Sequence, residues 1–336
     1  MDSIKRLSVS RYILILLSIF FLLVISILIG LLTGPTSVSL KDFTEAIFSS
    51  HNNSSASQII FEIRLPRVLF ALAIGGGLSI AGAAFQSILM NPLAEPYILG
   101  ISSGGTFGAV LSFLLGFSFI TTQVFAFSGA LIVVFLVFLL GKRFGELEPN
   151  QLLLSGVMVG AFFSAGILLM MSLLNDSLRT AVFWLIGNLS LAQKENLVFV
   201  LPVTLIISTI LVINSHKYNL LSMGNDTARQ LGVNAAFLKN STYILSSIMI
   251  GSIVSVSGII GFVGLLVPHV CRMIFGLDNR VVIPASFFIG ASYLIVADTL
   301  ARTLAAPIEL PVGAITAIIG APIFIYLLRK KFYVSK

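Results

Sequence analysis

Charged side chains are scarce in this chain: Asp, Glu, Lys and Arg make up 10% of its 336 residues. Soluble domains carry about 25%. With 57% hydrophobic residues and a mean hydropathy of +1.06, no water-facing surface can be built, so lipid is the main solvent. Cysteine is almost absent. Cys271 stands alone, which excludes an internal disulfide and a cysteine metal site; it reads as a small apolar filler. The three histidines, His51, His216 and His269, are far apart and show no ligand spacing. No Gly-x-x-x-x-Gly-Lys-Ser/Thr loop occurs, and Gly141-Lys142 is followed by Arg143 without the upstream glycine. The chain therefore cannot cradle ATP phosphates by that route. No triad, carboxylate pair or metal cluster is visible, which argues against an enzyme, and no cofactor is expected on this chain.

What is present in abundance is long apolar runs. A span needs about 20 such residues, and ten candidates are found at 11–33, 66–90, 98–116, 120–141, 151–174, 197–214, 241–262, 264–275, 281–302 and 312–328. The eighth is too short to cross alone and reads as a half-helix buried in protein. The first follows Lys5, Arg6 and Arg11. It is too long for a signal-peptide core and no small-x-small site follows, so it reads as a retained span. Ten crossings put both termini on one side. Fourteen of the twenty Lys and Arg residues then share that side. The other six are Lys41, Arg64, Arg67, Arg179, Lys194 and Arg302. The acidic residues show no such bias, so both termini are expected in the cytoplasm. The net charge of +7 thus reads as a topology signal in short loops and not as a nucleic-acid face. Two stretches leave the membrane pattern. The outer one, 34–63, holds Asp42, Glu45 and the polar run His51-Asn52-Asn53-Ser54-Ser55; the inner one, 215–240, reads as short helices broken by Gly224 and Gly232. Trp184, in an outer segment, reads as part of an interfacial aromatic belt.

An internal echo runs through the chain. Gly75, Ser79, Gly82, Leu89, Pro92, Ile98 and Gly100 match Gly251, Ser255, Gly258, Leu265, Pro268, Ile274 and Gly276 in one register. The two segments begin an odd number of crossings apart, so they run in opposite directions. That is the mark of an inverted repeat, with halves at about 66–174 and 241–328. Shared glycine-rich helix packing would give a weaker version of the same echo.

Several motifs follow one another in order. Arg64-Leu65-Pro66-Arg67 opens the second span, followed by Gly75-Gly76-Gly77, Gly82, Gln86 and Asn91-Pro92-Leu93-Ala94-Glu95-Pro96. Later come Gly258-Ile259-Ile260-Gly261, Pro268-His269, Arg272, Asp298, Arg302 and Glu309-Leu310-Pro311-Val312-Gly313. From about residue 60 to the end, this series resembles the permease family of bacterial iron-siderophore, haem and cobalamin ABC importers. The resemblance implies an all-α, ten-helix permease of the type II importer kind in a bacterial inner membrane. It implies a second permease subunit, identical or a close paralogue, and two ATPase subunits holding ATP and Mg. A substrate-binding protein or lipoprotein would dock outside.

The resemblance also assigns residues. The inner stretch, with Leu220, Leu221, Met223, Gly224, Asp226, Ala228, Arg229, Leu231 and Gly232, looks like the segment that couples to the ATPase. Asp226 suits a helix start and Gly232 a left-handed end, while Leu220, Leu221, Met223 and Leu231 offer apolar surface to a partner. An amphipathic loop on the bilayer would have the same composition. Arg64, Arg67 and Arg302 match positions where the family meets acidic residues of the binding protein. Guanidinium forks suit carboxylates, although snorkelling or an internal pair, such as Arg302 with Asp298 four residues earlier, competes with docking. Pro66 suits a first helical turn, which would start the second span there. Ser155, Met158, Ser164 and Thr316 are the implied pathway residues on spans five and ten. Asp298, His269, Arg272 and Glu95 are the ionisable candidates near span ends. An ion-coupled secondary transporter is the rival reading. It calls for carboxylates near the bilayer centre, where this sequence offers at best Asp298.

Overall fold

The computed structural model describes residues 9–36, 38–48, 55–143, 145–174, 178–191 and 194–334. Lys5, Arg6 and His51 to Ser54 lie outside the described residues. In chain order the helices are α1 (Val9–Leu32), α2 (Leu40–Phe48), α3 (Ser55–Gln58), α4 (Leu65–Ile88), α5 (Ile101–Leu114), α6 (Phe119–Leu140), α7 (Pro149–Leu173) and α8 (Leu178–Leu185). Then come α9 (Lys194–Ile213), α10 (Ser215–Leu221), α11 (Asn225–Gln230), α12 (Ala235–Ser257), α13 (Val263–Phe275), α14 (Asn279–Thr303) and α15 (Val312–Val334). A hairpin of two residues per strand, Lys142–Arg143 with Glu146–Leu147, joins α6 to α7.

Ten of these helices fall on the ten expected runs. Burial sorts them. On α4, α12 and α14 most residues are buried, whereas α1 and α7 bury only a small share of theirs. The interior helices can therefore carry serine: Ser246, Ser247, Ser252, Ser255 and Ser257 of α12 are all buried. Backbones approach closely where side chains are absent. A Cβ on Gly75 would lie 2.3 Å from the Gly290 carbonyl oxygen, and one on Gly82 would lie 1.9 Å from that of Gly264. These contacts fix α4 against α14 and α13.

Three expectations change. The third span, expected over 98–116, is a helix of 14 residues. It rises about 21 Å against a hydrocarbon core of about 30 Å. Pro96–Leu99 form a 3-10 turn before it and Gly100 is left-handed at φ +77°, so the α-helix starts late. α13, at 13 residues, is short as expected. The second span does not begin at Pro66. Helix runs from Ser55 through a π-helical turn, Ile59–Arg64, into α4. Pro66 has no N–H for a regular bond four residues back, and the Leu65 N–H bonds five residues back, to the Ile60 carbonyl. In both halves a short second helix stands among three long ones, with 24, 14, 22 and 25 residues in α4 to α7 and 23, 13, 25 and 23 in α12 to α15. The residue echo is not in structural register, however. Gly82 lies within α4 while Gly258 follows α12, and Pro92 lies in a turn while Pro268 lies within α13.

Candidate functional site

At the end expected to face outward, the start of α4 meets the end of α14. Arg67 Nε donates to both Asp298 oxygens at 3.0 and 3.1 Å, and its Nη1 donates to both Glu309 oxygens at 3.0 and 2.8 Å. Arg302 Nε lies 3.1 Å from Asp298 Oδ2 without hydrogen-bond alignment, while its Nη2 donates to the Gly30 carbonyl and to Thr299 Oγ1. Arg64 Nη1 donates to the carbonyls of Leu31 and Leu32, 2.8 Å each, and its Nη2 to the Thr36 carbonyl. It thereby closes the C-terminal end of α1, whose last carbonyls have no helical partner. The three arginines expected at the docking surface are thus buried with their heads turned inward. The internal pair describes their geometry, because Asp298, Glu309 and the α1 carbonyls compete for them inside the chain. Glu309, with 35% of its side chain exposed, is the member of this cluster that reaches the surface, and Arg67 Nη2 has no hydrogen-bond partner among the described residues.

Deeper in the molecule, two irregular segments meet: 89–100 after α4, and 258–262 after α12. Non-helical backbone at membrane depth survives where protein covers it, and here each segment covers the other. Asn91 Oδ1 accepts from the Leu93 N–H at 2.9 Å, next to Pro92, and Gln86 Nε2 donates to the Ala94 carbonyl at 3.3 Å. The Ile260 N–H reaches Tyr97 Oη at 3.4 Å, and the Phe262 N–H reaches Glu95 Oε1 at 3.2 Å. Phe262 is left-handed at φ +67° and precedes the first turn of α13. Glu95 therefore sits at the N-terminus of a half-helix, where a carboxylate is favoured. Sequence reasoning took it only for a residue near a span end. The signal that could have found this role is the pairing of Pro96 and Gly100 with Gly258 and Gly261 as breaks within apolar runs. Trp184 is buried and does not belong to an interfacial belt. Its carbonyl faces Gly258, where a Cβ would come within 2.0 Å, so α8 lies on the second irregular segment.

Of the expected pathway residues, Met158 and Ser164 lie on the exposed face of α7 and Ser155 is half-buried. Thr316 is a correction: it is fully buried and its hydroxyl donates to the Gly313 carbonyl. The tight packing of the start of α15 against the chain turns it inward. His269 is buried, one residue after Pro268, with its ring edge-on to Phe324 of α15 at 5.5 Å. Pro311 precedes α15 and its carbonyl accepts from the Ala314 N–H at 3.1 Å.

At the other end, α10 and α11 are the short helices expected over 215–240, the stretch that the resemblance assigns to coupling. Gly232 is left-handed at φ +84°. Its N–H bonds to Arg229 and that of Val233 to Ala228, the paired bonds of a glycine helix stop. Gly224, at φ +107°, precedes α11 and no side chain caps it. Asp226 is therefore an exposed first-turn acid and not the cap. Leu221 and Ala228 are fully buried, so they anchor the segment, while Met223 and Leu231 are 64% and 56% exposed. Leu220 is half-buried. Arg229 pairs with Glu146 of the hairpin, which ties α11 to the base of α7. Among the described residues, no group of His, Cys, Asp and Glu gathers as a metal site.

Comparison with known proteins gives this arrangement a family. The chain matches the FecCD transport family over residues 22–330. It is 36% identical to the molybdate import system permease protein MolB of Haemophilus influenzae, over 94% of this chain and 95% of the relative. It is also 36% identical to the hemin transport system permease protein HmuU of Yersinia pestis, over 93% and 95% of the two chains. A solved structure described as an inward-facing metal-chelate type ABC transporter superposes with a TM-score of 0.83 at 34% identity, covering 95% of this chain and 99% of the other. With eight long helices, two half-length spans and crossing irregular segments among its described residues, the chain belongs to the FecCD transport family of multi-pass ABC transporter permeases.

Proposed function

We propose that this chain is the permease subunit of an ATP-driven importer in a bacterial inner membrane, carrying an iron-siderophore complex, haem or cobalamin. It works beside a second permease subunit. Two ATPase chains hold ATP and Mg at the α10–α11 end, and a binding protein delivers cargo to the Glu309 end. The observation that carries this reading is the face of α7. Leu154, Val157, Met158, Phe162, Leu168 and Leu169 are all exposed on a helix next to the crossing of the irregular segments. Ser155, Met158 and Phe162 share one face at helical spacing, which suits a lining between two copies for a bulky cargo. The buried Arg67–Asp298 pair favours this reading over an ion-coupled carrier. A carrier needs a carboxylate free to exchange its ion, and Asp298 is held between two guanidinium groups. Molybdate is a second cargo, supported by the likeness to MolB.

The test is uptake by proteoliposomes holding the permease with its ATPase and binding protein. ATP-dependent accumulation of ferric siderophore, haem or cobalamin is expected, with molybdate as the comparison. Uptake driven by a proton or sodium gradient without the ATPase would replace this reading with the carrier.

A further inference from the structure

The end of the molecule that carries α10 and α11 holds a cavity of about 640 Å³, walled by Gln86, Ser87, His269, Arg272 and Asn279, with Ser222 at its edge. Arg272 projects from the last turn of α13. Its Nη2 donates to the Ala83 carbonyl at 3.2 Å and to Ser87 Oγ at 3.4 Å. Its Nη1 is buried and has no partner among the described residues, and neither has Gln86 Oε1. No described carboxylate forms an ion pair with Arg272. The acid closest in sequence, Asp278, is engaged by Arg280 and Asn219. Arg272 is half-buried with its Nη1 withdrawn from water, and a guanidinium so placed without an anion is costly, because charges taken out of water are usually paired. Among the described residues no anion meets it, which leaves the site open to an anion from a partner.

Three observations say what brings it. The rim is apolar: Met90, Met273 and Leu277 are exposed at the mouth. Met90 and Leu277 lie in turns outside the helices, and exposed apolar surface of this kind marks a contact site. Methionines at the mouth adapt to a partner's shape. Finally, Ser222 belongs to the coupling segment, so the cavity continues the surface offered by Met223 and Leu231.

We infer that the Arg272 cavity receives an acidic side chain of the ATPase partner, flanked by apolar residues that cover Met90, Met273 and Leu277. This rests on the permease reading and adds to it a second contact, beside the coupling segment. When ATP binding moves the ATPase, the carboxylate acts on α13 through Arg272. α13 in turn is fixed to α4 at Gly264, and its N-terminus holds Glu95.

The experiment uses the permease assembled with its ATPase in nanodiscs of phosphatidylethanolamine and phosphatidylglycerol. A photo-crosslinking residue is placed at Leu277 and, separately, at Leu231. Both are expected to capture the ATPase, and the peptide captured from Leu277 should contain Asp or Glu. Arg272→Gln should weaken association with the ATPase about 30-fold or more, the effect of truncating one partner of a buried charge pair. Leu277→Asp, at an exposed site that does not disturb folding, should weaken it too by placing a like charge at the mouth. Arg280→Gln, in an exposed pair, should change it less than about twofold. If Leu231 captures the ATPase but Leu277 captures phospholipid or nothing, the cavity is not the partner's site and the permease reading stands. If neither position captures the ATPase, both fail. Unchanged association in Arg272→Gln and Leu277→Asp overturns the inference even if a crosslink forms.

Discussion

Asp298 is buried between two guanidinium groups, and that position decides what its loss does. Removing its carboxylate leaves Arg67 with Glu309 alone and Arg302 with neutral acceptors. Breaking a buried pair costs about 3–5 kcal/mol, because a charge is left uncompensated. Asp298→Ala should therefore lower thermal stability far more than Glu309→Ala, whose partly exposed pair is worth up to about 1 kcal/mol. Thermal unfolding of the purified proteins in detergent checks this, and equal losses would mean the cluster is solvated. Asp278 makes a case at the opposite end. Burial raises its pKa, but hydrogen bonds from Arg280 and Asn219 outweigh burial and hold it below the ordinary carboxylate value. A depressed folded pKa gives stability that is present above the unfolded value of about 3.9 and lost as pH falls through the folded one. The stability gap between wild type and Asp278→Asn should thus be constant from about pH 7 to 5 and narrow progressively as pH falls below about 4. A gap that does not narrow at all as pH falls below about 4 would assign it to lost geometry and not to charge. At this scale the sequence was legible only locally. Arg302 could be paired with Asp298 by its helical spacing, but Arg67 meets Asp298 only through the packing of α4 on α14. No local pattern shows that Arg64 serves the carbonyls of α1.

The ten runs were readable because apolar length is a strong signal, and lipid demands that helices satisfy their own backbone. The half-helices were harder. Pro96, Gly100 and Gly258 interrupt runs that stay apolar on both sides, so composition alone carries the third span straight through the break. The π turn before α4 was also hidden, since a proline within an apolar run reads as a beginning. The inner stretch 215–240, proposed for coupling, was more legible, because polar residues and two glycines set it apart. There Gly232 is the element-scale test. A side chain in its left-handed conformation costs about 1–2 kcal/mol, and nothing crowds the position, so the effect is conformational. Gly232→Val should loosen the end of α11 and the contact of Leu231 with its partner. Uptake should fall several-fold while the protein still inserts and ATPase activity persists. Full uptake with this variant would place the coupling contact elsewhere, whereas failure to insert would make Gly232 a folding residue.

Sidedness belongs to the whole molecule, and the structure sharpens the argument for it. The basic residues were counted as exposed signals, fourteen against six. Of the six on the expected outer side, Arg64, Arg67 and Arg302 are buried and internally engaged, and Lys194 pairs with Glu62. Paired and buried cations add little to the free positive charge of that end. On the α10–α11 side Arg229 and Arg280 are likewise paired and Lys239 is buried, so the same discount applies to both ends; the basic excess persists and supports the proposed cytoplasmic placement of the α10–α11 end. Lys41 of α2 and Asp226 of α11 are both exposed, so each can report its side. In a Cys271→Ala background, which removes the chain's one thiol, Lys41→Cys should react with a membrane-impermeant maleimide in intact spheroplasts. Asp226→Cys should react only after permeabilisation, and Glu146→Cys should behave like it, because the hairpin is tied to α11 through Arg229. Labelling of Asp226→Cys in intact spheroplasts would invert the molecule. An ATPase could then not reach the coupling segment, and the proposed function would fall with the topology.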